Sequence, residues 1–540
     1  MRHIRLLALI AVFSAPLALA QPADVNARVD AVFARFTADT PGCALGVVHD
    51  GALVHAKGYG QASLELKVPI TPATVFDIGS VSKQITAAAI VLLAQQGKLA
   101  LDDDLRQFVP EIPDYGKTIT LRHVLHHTSG LRDYVTLLSL AGAQEEAVTT
   151  DADALALLAR QKGVNFAPGD DYLYSNTGYF LLSLVVKKAS GKPLREYAQE
   201  QIFAPLGMTQ TQILDDHTKV IAGKAASYAP MRGGGGFRNV LANWEQTGDG
   251  AVQTTVGDLA KWDANFYSGK VGGAALVREL ETTGVLNDGA TIDYALGLTV
   301  DRYRGLRRVA HGGSWAGFRS HTLRFPEQRL SALVLCNRVD GDPGTLAAKV
   351  ADVYLEKVMT PAPTAAAAKP TMTAESVAGT YFSRTTMTVR RFIAKDGTLY
   401  AGSETGQLVE PVGGNVYRAG AGAQLRFENN SLVVVPTSGK SDRFERVTEP
   451  PASAFTKVAG NYWSEELGLA VTIVATDGKL TWHAPEDSLA LRFADVALRP
   501  VTENVLAAPG FVLAFDANGF ALGAGRARGM RFTRAPRPAY

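Results

Sequence analysis

Val377, Ala378, Gly379, Tyr381 and Ser383 recur as Val458, Ala459, Gly460, Tyr462 and Ser464, 81 residues further along the chain. Asp396-Gly397 and Leu399 recur as Asp477-Gly478 and Leu480 at the same offset. Phe427 and Arg443-Phe444 then answer to Phe515 and Arg531-Phe532 at an offset of 88, so the second copy carries a seven-residue insertion. Both copies are short alternating runs punctuated by glycine turns, the pattern of a small all-β unit, meander or barrel-like. Two copies are too few for a solenoid, which leaves two similar domains. The stretch that precedes them, 360–372, is low in complexity and rich in proline and alanine, and reads as a linker. The expected order is a leader at 1–20, a main domain at 21–359, the linker, and β-domains at 373–448 and 455–540.

Apolar residues make up 46% of the chain and charged residues 20%, which excludes general disorder, collagen-like and coiled-coil classes. The formal charge is +2, and Arg2 and Arg5 lie in the leader, so the remainder is balanced. A neutral chain gives no reason to expect nucleic acid or an anionic membrane as partner. The leader has a basic start, a short apolar run from Leu6 and a small-x-small site at Ala18-Leu19-Ala20. Its apolar run is shorter than the ~20 residues of a membrane span. A secreted or periplasmic protein, free of the membrane after cleavage, is expected. Cys43 and Cys336, the only cysteines, each sit in a strand-like run. Two small buried hydrophobes is the reading adopted, with pairing in an oxidising compartment as the alternative.

Within the main domain, Asp50-Gly51 separates two apolar runs between Cys43 and Gly60, a hairpin signal. Apolar residues at Ile85, Ala88, Ala89, Leu92 and Leu93 predict a helix over 80–96, stopped by Gly97. Strand signals return at 294–302, 307–310, 319–325 and 330–336, and Asp342-Pro343 opens a last helix to about Val358. Strands thus come from both ends of the segment with helical material between. The fold class expected is α/β (α+β), an antiparallel sheet flanked by helices.

Three short motifs carry the chemistry. Ser80 and Lys83 lie three residues apart at a helix start, so they share a face, and the helix end offers backbone N–H groups to a developing oxyanion. Tyr174-Ser175-Asn176 follows Pro168-Gly169 in a loop-like stretch. His311-Gly312-Gly313-Ser314 follows a strand, and its glycines allow the strand to lie close under a ligand. In this order and within one predicted domain, they resemble the motifs of the penicillin-recognising serine hydrolases, the superfamily of serine β-lactamases, D,D-peptidases, esterases and D-aminopeptidases. Phe76–Lys83, Leu121–Leu131, Pro205–Met208 and Gly257–Trp262 fit the same family, and the resemblance covers roughly 25–358.

The resemblance implies that Ser80 is the nucleophile, Lys83 its base partner, and Tyr174 a proton relay to the leaving group. It leaves open which of Lys83 and Tyr174 takes the Ser80 proton. Lys83 nearby is expected to lower the Tyr174 pKa. Asn176, His311, Gly312 and Gly313 would contact substrate, and the backbone N–H groups of Ser80 and Ser314 would form the oxyanion hole. No metal or other cofactor is implied. Most lactamases and D,D-peptidases of this superfamily have lysine where His311 stands. A neutral histidine suits a substrate carboxylate less well, which favours aminopeptidase, amidase and esterase chemistry on a small peptide, amide or ester. Two appended β-domains also resemble the D-aminopeptidase branch, in which a loop of the last domain reaches the active site. The seven-residue insertion and Gly523–Gly529 are the two candidates here, though ordinary length variation in a hairpin is the preferred reading of both.

Other readings carry less. Gly312–Ala316 approximates a nucleophile elbow, but its last glycine is missing and its flanks are strands. His126-His127 has no third metal ligand at useful spacing. The arginines from Arg526 to Arg537 are expected to decorate terminal strands. A non-catalytic receptor for wall fragments is the alternative from another class.

Overall fold

The computed structural model describes residues 23–144, 146–361, 371–403, 405–420, 422–483 and 495–535. The predicted leader at 1–20 and most of the linker lie outside them. Among the described residues no helix is long and apolar enough to cross a membrane.

The first domain is built on a six-stranded antiparallel sheet. Its strands run in the order Thr299–Tyr303, Leu306–Trp315, Phe318–Phe325, Leu330–Cys336, Cys43–His49 and Ala52–Tyr59. The N-terminal hairpin, turning at Asp50-Gly51 with positive φ at both residues, thus pairs with the last strand. Every residue of Leu330–Cys336 is buried, because helices cover both faces. One face carries Ala23–Val32 and Pro343–Leu355, which close a core of Val29, Phe33, Phe325, Leu346 and Val350. The other carries Val256–Ser268, with Lys83–Gln95 and Asn176–Ser190 packed in the same core. Lys83 to Leu93 are buried without a break, as expected of a helix running through the centre of a domain.

Cys43 and Cys336 form a disulfide. The expectation of two unpaired thiols is corrected: the antiparallel register sets these two strand-end residues directly opposite each other. The sequence showed two strands but not that they were neighbours.

Gly379–Val447 and Gly460–Arg534 each span a closed eight-stranded barrel. In both, the first strand pairs with the last. The repeated residues have repeated jobs. The Tyr381 hydroxyl donates to the Val377 carbonyl at 2.9 Å, and that of Tyr462 to the Val458 carbonyl at 2.7 Å. Gly379 and Gly460 hold φ of +146° and +151°, where a Cβ would stand 3.0–3.1 Å from the Arg446 and Arg534 guanidinium groups. Those arginines in turn bond the carbonyls of Ala378 and Ala459. The seven extra residues of the second copy fall between the strands Lys479–His483 and Val496–Thr502, and most of them lie outside the described residues.

Both barrels dock on the first domain. Glu466 of the second barrel and Arg132 form a buried ion pair. The Gln161 side chain bridges them, accepting from Arg132 at 2.9 Å and donating to the Glu466 carbonyl at 3.0 Å. From the first barrel, Lys440 N–H donates to Asp171 at 2.8 Å, and Ser438 Oγ accepts from Asp293 N–H at 2.9 Å.

Candidate active site

The predicted helix over 80–96 is two elements. Gly79–Ser82 is a 3₁₀ turn and Lys83–Gln95 the α-helix. The Asp77 carboxylate fixes the turn, accepting from Gly79 N–H at 2.7 Å and from Gln253 Nε2 at 2.6 Å. Ser80 sits in this turn and Lys83 opens the helix, so Lys83 Nζ reaches Ser80 Oγ at 3.1 Å. Nζ also donates to Asn176 Oδ1 at 2.9 Å and to the Asp249 carbonyl at 2.6 Å. Three partners use all three ammonium protons, so a neutral Lys83 has one lone pair left to accept a proton. Lys83 is fully buried. Burial pushes its pKa down, the carboxylates of Asp249 and Asp133 pull it back up, and Arg526 pushes it down again.

Asn176 begins the helix Asn176–Ser190, and its N–H is held by Asp133 Oδ2 at 2.6 Å. Its Oδ1 is committed to Lys83, which leaves the amide NH₂ for a substrate carbonyl. Tyr174 lies two residues earlier. Its ring has Lys83 Nζ 4.9 Å from its centroid, Arg526 Cζ at 4.7 Å, and the His127 ring at 4.2 Å. Its hydroxyl is buried and makes no well-formed hydrogen bond, though Ser80 is near enough to favour its anion. Burial outweighs Ser80 and Arg526 and raises the Tyr174 pKa. The expectation of a pKa lowered by Lys83 is corrected: the net shift is upward, and loss of water around the buried hydroxyl is its largest cause.

His311 begins no separate turn. The strand continues through it as Leu306–Trp315, beyond the boundary predicted at Ala310. The adjacent strand Thr299–Tyr303 stops pairing at Ala310, so His311–Trp315 keeps one open edge. The two-residue turn Ala316-Gly317 closes on the Trp315–Phe318 pair, which points the peptide groups of Gly312 and Ser314 to that open side. Gly313 serves packing more than ligand access. A Cβ there would stand 2.0 Å from the Ile78 carbonyl and 2.2 Å from Ser320 Oγ, so only glycine lets the turn that carries Ser80 lie against the strand.

Both ring nitrogens of His311 are used. Nδ1 donates to the Gly312 carbonyl at 2.7 Å, and Nε2 accepts from the Tyr294 hydroxyl at 3.0 Å. Burial, reinforced by Lys83, pushes its pKa down to about 3. His311 is a neutral wall with no free nitrogen for substrate, a narrower role than the substrate contact expected.

Ser80, Tyr174, Asn176, His311 and Ser314 therefore line one cavity of about 780 Å³, whose aromatic lining includes Tyr134, Trp244, Trp315 and Phe318. Three participants were not anticipated. Asp133 caps a short helix and holds Asn176. Asp249 is half-buried beside Lys83, with Oδ2 on the Tyr134 hydroxyl at 3.1 Å and a buried Oδ1 that is unpartnered. Arg526 enters from the second barrel on the Gly523–Gly529 turn. Its carbonyl accepts from Asp133 N–H at 3.1 Å and from Asn165 Nδ2 at 2.9 Å. The expectations of ordinary length variation for that loop and of strand decoration for Arg526 are corrected, since the loop lies between two strands and brings Arg526 to the cavity. At the cavity rim, Asp216, His217 and Glu245 have the composition of a cation site, but Glu245 already pairs with His217 at 2.7 Å.

A family model described as Beta-lactamase matches residues 29–355, and the chain belongs to this family. It is a serine hydrolase of that family, carrying two C-terminal barrels. It is 29% identical to a D-aminopeptidase of Gluconobacter oxydans over 84% of this chain and 85% of that protein. It is 31% identical to a D-aminopeptidase of Brucella anthropi over 58% of this chain and 59% of that one. An octameric penicillin-binding protein homologue from Pyrococcus abyssi has a similar fold, with a TM-score of 0.55 at 22% identity over 86% of this chain and 98% of that one.

Proposed function

We propose that this protein hydrolyses amide bonds of small peptides through an acyl-enzyme on Ser80, in the manner of a D-aminopeptidase. The observation that carries the reading is the buried Lys83 with Nζ on Ser80 Oγ at 3.1 Å. Neutral Lys83 takes the Ser80 proton as Oγ attacks the substrate carbonyl. The Ser80 and Ser314 N–H groups receive the oxyanion. Burial keeps Tyr174 a phenol, so it gives its proton to the departing amine and is refilled from Lys83. Water then attacks the acyl-enzyme by the same path reversed. The D-aminopeptidases among the relatives support the substrate class, and so does the uncharged His311. Export belongs to the same proposal, supported by the Cys43–Cys336 disulfide, since such bonds persist in oxidising compartments.

The test sets p-nitroanilides of D-Ala and L-Ala beside a p-nitrophenyl ester and nitrocefin. The D-Ala anilide is expected to have the highest kcat/KM. Turnover of esters alone would make the protein a carboxylesterase, and nitrocefin as best substrate would return it to β-lactamase or D,D-peptidase chemistry.

The pH profile adds a signed prediction. Activity needs neutral Lys83, so kcat/KM rises with pH, and it does so below the ordinary lysine range because burial lowers that pKa. The charged groups facing Lys83 are Asp249, Asp133 and Arg526. Asp249→Asn removes a carboxylate that favours the ammonium, so the rising limb should move to lower pH. A limb that stays put or moves up contradicts Lys83 as the base.

A further inference from the structure

Arg526 is an unusual residue to find in this cavity. Its loop is pinned by main-chain bonds: the Arg526 carbonyl accepts from Asp133 and Asn165, and Arg528 N–H donates to Asn165 Oδ1 at 2.9 Å. Its side chain is thereby delivered over Tyr174, with Cζ 4.7 Å from the ring centroid. Among the described residues the exposed guanidinium has no hydrogen bond and no ion pair. Neither carboxylate in the cavity wall has a hydrogen bond or ion pair with Arg526 among the described residues. Asp77 holds Gly79 and Gln253, and Asp249 holds Tyr134. His311, where a cation is usual in much of the superfamily, is neutral and has both nitrogens satisfied. Among the described residues two cations that line the cavity have no hydrogen bond or ion pair: Lys224 lies over Phe318 near Asp77, and Arg526 stands on the side where Tyr174 meets the leaving group.

We infer that Arg526 binds a carboxylate on the leaving-group side of the scissile bond, so that the preferred substrates are short peptides with a free C-terminus, dipeptides above all, and not their amides. In a dipeptide that carboxylate is one carbon away from the scissile nitrogen. A guanidinium stacked on the tyrosine that protonates this nitrogen lies within reach of it, and Arg presents a planar fork matched to a carboxylate. The second barrel thus supplies a specificity residue to a site whose reacting groups all come from the first domain. The inference rests on the amide-hydrolase reading above.

The test compares D-alanyl-glycine with D-alanyl-glycinamide, which differ only in carboxylate against carboxamide. The wild-type protein should prefer the acid. In Arg526→Gln the ratio of kcat/KM for acid over amide should fall about 10- to 100-fold, mostly through KM, the loss expected for a charge-assisted hydrogen bond. Arg526→Lys should recover part of it. Because the loop is held through its main chain, thermal melting of both variants should match wild type. A ratio that does not change, with both substrates falling together, overturns the inference and leaves Arg526 as packing on Tyr174. If neither peptide turns over while esters do, the aminopeptidase reading has failed. O-acetylglycolate against O-acetylglycolamide then puts the same question to Arg526.

Discussion

Ser80→Ala is expected to lower kcat on the best substrate by roughly 10⁴- to 10⁶-fold, leaving only what binding and the oxyanion site contribute. Lys83→Ala should fall into the same range, because the two residues act as one unit and their losses do not add. A fluorophosphonate probe read by intact mass gives an independent measure. The wild-type chain should gain one adduct, located on Ser80, and the Ser80→Ala chain none. This experiment also decides against the receptor alternative. A wild-type protein that takes up no covalent mass would leave the Ser80–Lys83 pair without a reaction, whatever its geometry.

Glu466→Ala should cost about 3–5 kcal/mol, the range for removing one partner of a buried ion pair. Arg132 and Glu466 are 5% and 3% exposed, so the surviving guanidinium has no water to turn to. The Glu466 carboxylate also accepts from Lys162 N–H at 2.9 Å and Arg531 N–H at 2.8 Å, and both donors would be orphaned. Arg132→Met with Glu466→Leu should regain most of the loss, since an apolar pair removes both charges together. Urea denaturation followed by tryptophan fluorescence reads these changes. A single substitution costing less than about 1 kcal/mol would mean that the pair is hydrated and the barrel held elsewhere. Activity should fall as well. Arg132 is followed by Asp133, which holds both the Asn176 N–H and the Arg526 carbonyl.

What the sequence revealed and what it hid divide along a physical line. Ser80, Lys83, Tyr174, Asn176 and His311 were legible because each belongs to a short local motif whose spacing already implies a shared face or a turn. The two barrels were legible from their repeat, because the Tyr-to-carbonyl bond and the glycine under an arginine must be rebuilt in each copy. Arg526, Asp249 and Asp133 were not legible. Arg526 reaches Asp133 across nearly 400 residues of chain, and nothing in the glycine-rich turn around it announces where the barrel docks. Asp249 sits in a plain loop, and what brings it to the site is its place beside Lys83, which no local pattern encodes. The disulfide was missed for the same reason. Strand character is local, whereas which strands are neighbours is decided by the whole chain.

The neighbour relation between Cys43–His49 and Leu330–Cys336 also fixes an order of assembly. The first hairpin of the chain has its partner in the last strand of the domain, and the bond that locks them spans 293 residues of sequence. A growing chain that has made the hairpin and even Ser80 cannot close its central sheet until Cys336 has followed. Long-range pairing of this kind makes folding slow and leaves an open strand edge exposed while the partner is awaited. Each barrel needs only its own contiguous stretch, Gly379–Val447 or Gly460–Arg534, and can form without waiting for distant chain. The domain that begins first is thus the one with the longest wait for its own closing strand.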